Sequence, residues 1–285
     1  MKKTLLHSGV FSLLLLTTPF SLAQPSANGP INGERLDFVI TYEWGPLYLE
    51  VGNATFTTLL NPNDPRSLWS FEGWGTSQSH WNWFYPVNSI YSSTADKHFQ
   101  PHQFSRKGIE GSHAYDRAYQ FNEGFSISWI GNDDELSSGE VTLFESKTTV
   151  MDVMTAVHWC RQIPWDTYSV GKVLKMDLIL DGEIHQTNIQ FLGIETWTDP
   201  DSHESYECWI IQPQLIEGTV FKAGDLMQVF VTADEQRLPV FIETELIIGS
   251  AKIFLTDHSI LSPSKIQGFR AESVVSRNQF FSRKK

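Results

Sequence analysis

Residues 181–255 read DGEIHQTNIQFLGIETWTDPDSHESYECWIIQPQLIEGTVFKAGDLMQVFVTADEQRLPVFIETELIIGSAKIFL. Apolar runs alternate here with short polar turns, which is the pattern of antiparallel hairpins. The dipeptide Asp181-Gly182 separates the apolar runs 173–180 and 184–192, and it suits a two-residue turn because both residues tolerate positive φ. The stretch therefore predicts a first hairpin around this turn.

Two further reversals follow in the same stretch. The second lies at residues 198–202, after the short apolar run 194–197, where proline presets φ and the aspartates can bond nearby backbone. The third lies at residues 234–237 and joins the runs 226–233 and 238–248. Three successive hairpins predict a mainly β fold with an antiparallel meander.

The N-terminal half continues the strand pattern. Residues 36–44 alternate strictly, with apolar side chains at every second position, as in a half-buried strand. The apolar parity changes beyond Gly52, which predicts a bulge or bend at that glycine. An antiparallel sheet of this length has to coil or close to protect its edges.

Three more strands are predicted at residues 98–107, 112–122 and 125–130, with turns at residues 108–111 and 123–124. His98 and His102 would share a strand face, but side chains four residues apart on a strand are roughly 13 Å apart. That is too far for a single ion, so we predict no metal site and interpret both as surface histidines.

Only one helix is predicted. Asp152 can cap residues 153–162, which carry apolar side chains at helical spacing, and Pro164 ends the segment. A lone helix among many strands must bury its apolar face against the sheet. The predicted fold is mainly β: a long antiparallel meander forming a curved sheet or partly open β-barrel, with one short helix packed on its concave side.

Several short segments together resemble a known family. In chain order they are Gly33-Glu34, Tyr42-Glu43-Trp44-Gly45, Phe84-Tyr85-Pro86-Val87, Phe104 with Arg106, Asp152 leading to Arg161, Gly218-Thr219-Val220-Phe221, residues 229–240 and Ile248-Gly249-Ser250. This series is similar to the exported bacterial family named domain of unknown function 3108. The resemblance spans residues 33–255, is most specific at the TADEQRLPV turn, and implies no reaction, ligand or catalytic residue.

Five residues of that series form a structural signature: Asp152, Arg161, Asp234, Arg237 and Pro239. Aspartate favours turns and helix caps, and arginine binds carboxylates or carbonyl oxygens. We therefore predict that these residues cap the helix and shape the turn.

The N-terminus has the features of a secretory signal peptide. Lys2 and Lys3 precede an apolar stretch, and Ser21-Leu22-Ala23 offers the small residues that a signal peptidase requires. The apolar stretch is shorter than the about 20 residues of a membrane span, so no integral span is expected after cleavage. The predicted division is signal peptide 1–23, N-terminal linker 24–32, one β-rich domain 33–256 and a basic, disordered tail 257–285. The expected location is the periplasm or the exterior.

Net charge excludes two classes of partner. The chain carries a formal charge of −12, from 21 basic and 33 acidic residues. Loss of Lys2 and Lys3 on cleavage makes the mature chain more acidic still. Nucleic acid and anionic membrane surfaces attract basic patches, so a chain this acidic is not expected to bind either of them.

The two cysteines, Cys160 and Cys208, permit a single disulfide in an oxidising compartment. The alternative is that both are buried free thiols. Neither has a second metal ligand at the short spacing of a zinc site.

Residues 68–91 are unusually aromatic. Exposed rings would form a stacking platform for sugars or line an apolar ligand site, whereas buried rings would form a core cluster. Trp81 and Trp83 share a face only if their segment is extended. The ligand-binding candidates are Trp69, Trp74, Trp81, Trp83 and Tyr85.

No motif for nucleophilic elbows, zinc hydrolases, phosphate loops or dinucleotides is present, and no cofactor is predicted. Three functions therefore stay open. The favoured one is a non-catalytic binder or carrier of an apolar or amphipathic, lipid-like ligand in the cell envelope. The alternatives are a glycan-binding or surface-assembly module that uses the aromatic stretch, and a hydrolase with a dispersed site.

Overall fold

The structure, a computed structural model, describes residues 30–61, 66, 68–122, 126–131, 141–145, 149–216, 227–262 and 265. The strands are β1 Glu34–Trp44, β2 Leu47–Leu60, β3 Trp69–Ser77, β4 Val87–Ala95, β5 Pro101–Glu110, β6 His113–Phe121, β7 Ser126–Gly131, β8 Val141–Glu145, β9 Val150–Met151, β10 Val173–Leu180, β11 Glu183–Thr198, β12 Ser205–Pro213, β13 Met227–Thr232, β14 Pro239–Glu245 and β15 Ser250–Ile260. The α-helix is α1, Val153–Gln162, and short 3-10 helices lie at Ser79–Trp81 and Trp165–Thr167. None of the described helices is long and apolar enough to cross a membrane.

All 15 strands belong to one sheet, in the order β8-β7-β6-β5-β4-β3-β2-β1-β15-β14-β13-β12-β11-β10-β9. Every neighbouring pair is antiparallel except β9 and β10, which are parallel. The two edge strands, β8 and β9, are consecutive in the chain, so the meander returns on itself. Among the described residues no strand pairing joins these two edges, and the sheet is curved but not closed. The predicted fold class is confirmed.

Helix α1 packs inside the curve against β3, β4 and β10. The core there combines sheet residues such as Phe71, Phe104 and Tyr119 with Trp159 of the helix and Trp165 just after it. Aromatic rings of this size bury large apolar areas, which stabilises the helix on the concave face.

The predicted first hairpin is present. Asp181 and Gly182 adopt φ values of 52° and 80° and join β10 to β11, as the two-residue turn requires. The runs 184–192 and 194–197, however, form one strand rather than two. The pairing of β11 with β12 shifts at Gly193, whose φ is 131°, so a bulge replaces the predicted break.

The turn predicted at residues 108–111 lies slightly later, because Gly108 is inside β5. A Cβ atom on Gly108 would lie 2.5 Å from the backbone oxygen of Asn88, so glycine is needed for close strand approach rather than for a turn. Gly111, with φ +63°, makes the turn instead. The strand predicted to begin at His98 begins at Pro101.

Two boundaries in the C-terminal part differ from prediction. The run 238–248 ends as a strand at Glu245, and β15 begins at Ser250 after a tight turn. Strand β15 then continues past residue 256, where the tail was predicted to begin, because its end pairs with the start of β1, Glu34 opposite Ile260. Backbone hydrogen bonds to β1 extend the strand although its side chains there are polar. Hydrophobic periodicity does not reveal such pairing.

The bend predicted at Gly52 is found. Ile40 pairs with Gly52 and Thr41 pairs with Glu50, which leaves Val51 as an extra residue on β2. The predicted signal peptide, the turn at residues 123–124 and most of the basic tail lie outside the described residues.

Candidate functional site

The structure does not bring the five aromatic candidates onto one surface. Trp69 packs against the concave core, whereas Trp74, five residues along β3, lies on the opposite face. Trp81 lies in a 3-10 helix, so it does not form an extended pair with Trp83. Trp83 is 79% exposed and Tyr85 is 39% exposed. Of the five candidates, only Trp83 and Tyr85 are exposed, and Trp83 is the more accessible.

Those two rings belong to a larger apolar surface at one end of the sheet, here called the apolar rim. Its members lie in the β1–β2 turn, the β3–β4 loop and the β14–β15 turn, which are neighbours because β14, β15, β1, β2, β3 and β4 are adjacent in the sheet. The rim consists of Trp44, Leu47, Tyr48, Trp83, Phe84, Tyr85, Ile247 and Ile248, all exposed. The segments 44–48, 83–86 and 246–249 contain no charged residue.

The three tips are held in place by backbone-directed contacts. The Tyr42 hydroxyl donates to the backbone oxygen of Ile248 at 3.1 Å, and Trp81 Nε1 donates to the backbone oxygen of Glu50 at 3.0 Å. Gly249 has φ +76°, and a Cβ there would lie 2.2 Å from the backbone oxygen of Glu43. These contacts thus hold the backbone of the three tips in place beneath the exposed side chains.

Beneath the rim, the concave face changes character along β3. A Cβ on Gly73 would lie 3.2 Å from Met154 of α1 and 3.2 Å from Phe56, so helix and sheet are in contact there. A Cβ on Gly75, two residues nearer the rim on the same face, would meet nothing within 4 Å. The helix therefore packs on one part of the concave face, here called the filled half, and there is open space at Gly75 in the part nearer the rim, here called the open half.

A polar group, here called the Arg106 cluster, lies next to that open space. Gly75 pairs with Ser89, which begins the cluster. The members lie on β4, β5, β6 and the β10–β11 turn: Ser89, Tyr91, Arg106, Glu110, Tyr115, Arg117 and Asp181. Polar side chains in an otherwise apolar interior are costly unless they are bonded to one another.

In the part of the cluster nearest the rim, the Glu110 carboxylate accepts hydrogen bonds from three hydroxyl groups. Ser89 and Tyr91 hydroxyls each donate to Glu110 Oε1 at 3.2 Å, and the Tyr115 hydroxyl donates to the same oxygen. Burial raises the pKa of Tyr115, and so does its bond to Glu110. Both effects keep the phenol protonated, so it can donate to the carboxylate.

The other part of the cluster joins the sheet to the β10–β11 turn. Arg106 Nη1 donates to Asp181 Oδ1 at 2.6 Å, and Arg117 Nη1 donates to the same oxygen. The Tyr119 hydroxyl accepts the Gly182 N–H at 3.0 Å, and burial raises the pKa of this phenol to about 12. These contacts bring the turn over β5 and β6 without any strand pairing.

Arg106 is itself held by two rings. Its Cζ lies 4.1 Å from the centroid of Tyr115 and 5.4 Å from that of Tyr91, which are cation–π distances. The residue is 8% exposed, and its Nε has no hydrogen-bond partner among the described residues. Burial acts to lower the pKa of Arg106, but Tyr91 and Asp181 raise it, and the net direction is upward.

The structural signature lies away from this site. Asp152 Oδ1 accepts the Thr155 N–H at 2.9 Å and so caps α1. Arg161 Nη1 and Nη2 donate to Glu34 at 2.6 and 2.9 Å, and Arg161 Nε donates to the backbone oxygen of Arg237 at 2.9 Å.

The signature turn completes this arrangement. Asp234 Oδ1 accepts the N–H groups of Gln236 and Arg237, and Arg237 Nη1 donates to the backbone oxygens of Arg161 and Ile163. Pro239 begins β14 opposite Val231, where the pairing shifts. The signature residues thus tie α1, β1 and the β13–β14 turn together.

A second polar group adjoins the helix cap. The Ser93 hydroxyl donates to Asp152 Oδ2 at 2.7 Å and lies 2.9 Å from the Thr155 hydroxyl. All three residues are buried, so this serine–carboxylate pair is not exposed to solvent. Burial raises the pKa of Asp152 to about 6, although bonds from Thr155 and Ser93 oppose the rise.

The two cysteines are free thiols in the structure. Cys160 packs beside the concave core and Cys208 belongs to a separate cluster with Leu36, Phe38 and Ile210. The disulfide that the sequence permitted is not formed. Burial raises the pKa of Cys208 to about 12 and also raises that of Cys160.

Most of the candidate site was missed by sequence reasoning. Trp44 and Tyr48 flank a tight turn and Ile247-Ile248 lie in another. Apolar residues are unusual at such positions, and this anomaly was the available signal. Arg106 was recognised only as part of the family resemblance. Its meeting with Asp181 joins residues 75 apart in sequence, which no local pattern encodes.

Comparisons with known proteins give a family and a fold. A search of curated proteins finds no match. The structure is similar to the crystal structure of a beta-barrel-like protein of domain of unknown function DUF1849 from Brucella abortus, with a TM-score of 0.57 and 7% sequence identity, covering 82% of this chain and 100% of that chain. The model of the family "Protein of unknown function (DUF3108)" matches residues 37–256. The chain therefore belongs to the DUF3108 family.

Proposed function

We propose that this protein is an exported, non-catalytic binder or carrier of an amphipathic, lipid-like molecule in the cell envelope. The observation that carries the proposal is the apolar rim, a set of exposed rings and aliphatic side chains on three neighbouring tips. Contiguous exposed apolar surface is costly in water, and it marks a surface that contacts another molecule.

The composition of the rim favours an apolar contact. It includes Trp83 at 79% exposure and Phe84 at 75%, together with aliphatic side chains in both other tips. Its three segments lack charged residues, so the rim offers dispersion and hydrophobic contact rather than ionic contact. An acyl chain suits such a surface.

The concave face supplies a place for the rest of the ligand. Open space begins at Gly75, on the same face of β3 as helix-packed Gly73 and nearer the rim. The Arg106 cluster borders that space through Ser89. An apolar rim beside a recess with polar groups matches the two-part chemistry of an amphipathic molecule.

The N-terminal segment supports an envelope location. Lys2 and Lys3, an apolar stretch and small residues before Gln24 have the order of a secretory signal. The acidic charge of −12 fits a partner that is not itself strongly anionic over a large surface.

The test is native mass spectrometry of the mature protein purified from its own host, followed by organic extraction of whatever is bound. We expect a discrete added mass that extracts as lipid. The double variant Trp83→Gln, Phe84→Gln should lose it, whereas Val170→Gln should retain it, because Val170 is 69% exposed but lies outside the rim. Bare wild-type protein, or equal loss in both variants, would contradict the proposal.

Trp83 also supports a second candidate, a glycan-binding module, because an accessible indole face can stack on a sugar ring. A glycan array probed with wild type and with the Trp83→Gln variant separates the two. Specific glycan binding that depends on Trp83, without bound lipid, would favour this alternative.

A further inference from the structure

We infer that the apolar rim docks on the surface of a lipid bilayer with zwitterionic head groups, and that Trp83 and Phe84 enter the bilayer there. The inference rests on the proposed function, since it names the surface at which the carrier exchanges its ligand. Its basis is the composition of the rim, its position on three separate tips and the charges beside it.

The side chains of the rim are of the types that favour the boundary between lipid and water. Four of its eight residues are tryptophan or tyrosine, whose rings are apolar while the indole N–H and the phenol can keep polar partners. The other four are wholly apolar and gain from contact with acyl chains. This combination suits a surface that enters only the head groups and the upper part of the acyl chains.

The rim projects outward instead of lining a recess. Trp83 is 79% exposed, Phe84 is 75% exposed and Trp44 is 61% exposed. Side chains that line a pocket for one ligand are shielded by the other walls of that pocket. Because the three tips are neighbours at one end of the sheet, a flat surface can contact all of them at once. A bilayer is a surface of this kind.

The charges beside the rim select the type of bilayer. Residues 73–95, which include Trp83 and Phe84, contain no Asp, Glu, Lys or Arg. The exposed charged residues nearest in sequence to the other two tips are Glu50 and Glu245, both acidic. An anionic bilayer attracts basic side chains and would repel these carboxylates, whereas a zwitterionic bilayer has no net charge. The rim therefore fits the zwitterionic surface.

The rim needs little ordering before it docks. The Trp81 indole N–H donates to the backbone oxygen of Glu50 at 3.0 Å and joins the β3–β4 loop to β2. The Tyr42 hydroxyl donates to the backbone oxygen of Ile248 at 3.1 Å and joins the β14–β15 turn to β1. A surface with a fixed backbone loses less conformational freedom on binding.

Docking at the rim places the open half of the concave face near the bilayer. Gly75 lies two residues before β3 ends at Ser77. The open space at Gly75 is therefore about 7 Å along the strand from the start of the β3–β4 loop. An amphipathic molecule that leaves the bilayer beside Trp83 has only a short path through water to this space.

The experiment measures co-sedimentation of the mature protein with vesicles of phosphatidylcholine. We expect the wild type to bind and the double variant Trp83→Gln, Phe84→Gln to bind at least about tenfold more weakly, because two apolar rings no longer enter the bilayer. Replacing part of the phosphatidylcholine with phosphatidylglycerol should weaken wild-type binding. Absence of wild-type binding, or stronger binding to the anionic vesicles, would overturn the inference.

The matched control is the double variant Val170→Gln, Ile194→Gln. These side chains are also exposed, at 69% and 51%, and Val170 lies beside Gly193, the neighbour of Ile194, outside the rim. The control loses exposed apolar surface too, but it should bind phosphatidylcholine as the wild type does. Equal weakening by the two double variants would show that binding does not depend on the rim, and the inference would fail.

Insertion of Trp83 has a separate readout. Phosphatidylcholine that is brominated in its acyl chains quenches the fluorescence of tryptophans that enter the bilayer. Trp83→Phe keeps an apolar ring, so this variant should still bind the vesicles but show less quenching than the wild type. Unchanged quenching would place Trp83 outside the bilayer and contradict the inference.

Native mass spectrometry of the same proteins separates the docking surface from the proposed function. Wild-type protein that carries lipid but does not bind vesicles would refute the docking surface and leave the carrier function intact. Vesicle binding by wild-type protein that carries no lipid would support the docking surface and refute the carrier function.

Sedimentation velocity without vesicles tests a second copy of this chain as the occupant of the rim. We expect the wild type and the variant Trp83→Gln, Phe84→Gln to sediment alike. A wild-type dimer that dissociates in this variant would assign the rim to contact between copies and overturn the inference.

Discussion

Two buried arginines, Arg161 on α1 and Arg106 on β5, have opposite surroundings. Arg161, in the half filled by α1, donates from all three guanidinium nitrogens to Glu34 and to backbone oxygens of the β13–β14 turn. Arg106, in the open half, contacts the half-exposed Asp181, lies 3.9 Å from Glu110 through Nη2, and has an Nε without a described partner. The same residue type thus has every guanidinium nitrogen bonded in one half and one nitrogen without a described partner in the other. The difference separates structural polar groups from candidate functional ones.

The largest expected effect comes from matched carboxylate-to-amide substitutions at the two arginines. Glu34→Gln should lower the free energy of unfolding by about 3–5 kcal/mol, because it leaves a buried guanidinium without its counter-charge. Asp181→Asn should cost about 1 kcal/mol or less, because the Asp181 carboxylate is half exposed and the Glu110 carboxylate remains 3.9 Å from Arg106 Nη2. Urea unfolding of both variants measures the contrast. Similar losses would mean that the two arginines do not differ in role.

In the filled half, Asp152 should make the free energy of unfolding depend on pH. Burial raises the pKa of Asp152 to about 6 in the folded state, while in the unfolded chain it has the ordinary value of about 4. Between about pH 4 and pH 6 the folded state keeps a proton on Asp152 that the unfolded chain has lost. The resulting stabilisation of the folded state is complete at low pH and is lost as the pH rises through about 6.

Asp152→Asn removes that titration and keeps an oxygen that can cap α1. The free energy of unfolding of the variant, relative to wild type, should therefore increase by about 2 kcal/mol between pH 4 and pH 7. His158, whose pKa burial and Arg161 lower, is present in both proteins and cancels in the difference. A difference that does not vary with pH would show that Asp152 is not perturbed.

The sequence predicts local features in both halves better than contacts between distant residues, for a physical reason. Asp152 and the 153–162 segment have local signals, a cap and a helical period, and the hairpin at Asp181-Gly182 follows from turn chemistry. The contacts of Arg161 with Glu34 and of Arg106 with Asp181 depend on how far the sheet curves. The curvature is the sum of small contributions from many strands, and no single strand has a sequence pattern that encodes it. Neither pairing was therefore predictable from the sequence.

The rim illustrates the same limit on a smaller scale. Trp69 and Trp83 carry identical side chains in one aromatic stretch, yet one packs on the core and the other is 79% exposed. Their difference arises from the 3-10 helix at Ser79–Trp81, which breaks the strand alternation. Composition identified the stretch but not which rings are accessible.

Substitutions of two glycines on one face of β3 test where the contact between the helix and the sheet ends. Gly73→Leu should destabilise the protein by about 1–3 kcal/mol, because its side chain would enter the contact between Met154 and Phe56. Gly75→Leu should leave the free energy of unfolding nearly unchanged, because a side chain there extends into open space. Gly75→Leu should nevertheless reduce amphiphile binding. Equal destabilisation by both would show that the helix-free half is also filled.

The smallest expected effect concerns salt. A half-exposed ion pair is screened when the Debye length falls to about 3 Å in 1 M salt, whereas a buried pair is screened much less. The small stability cost of Asp181→Asn should therefore vanish in 1 M sodium chloride, while the cost of Glu34→Gln should persist. Urea unfolding of both variants at low and high salt measures this. A salt-independent cost at Asp181 would mean that its carboxylate is held as firmly as that of Glu34, which would contradict the difference between the two arginines.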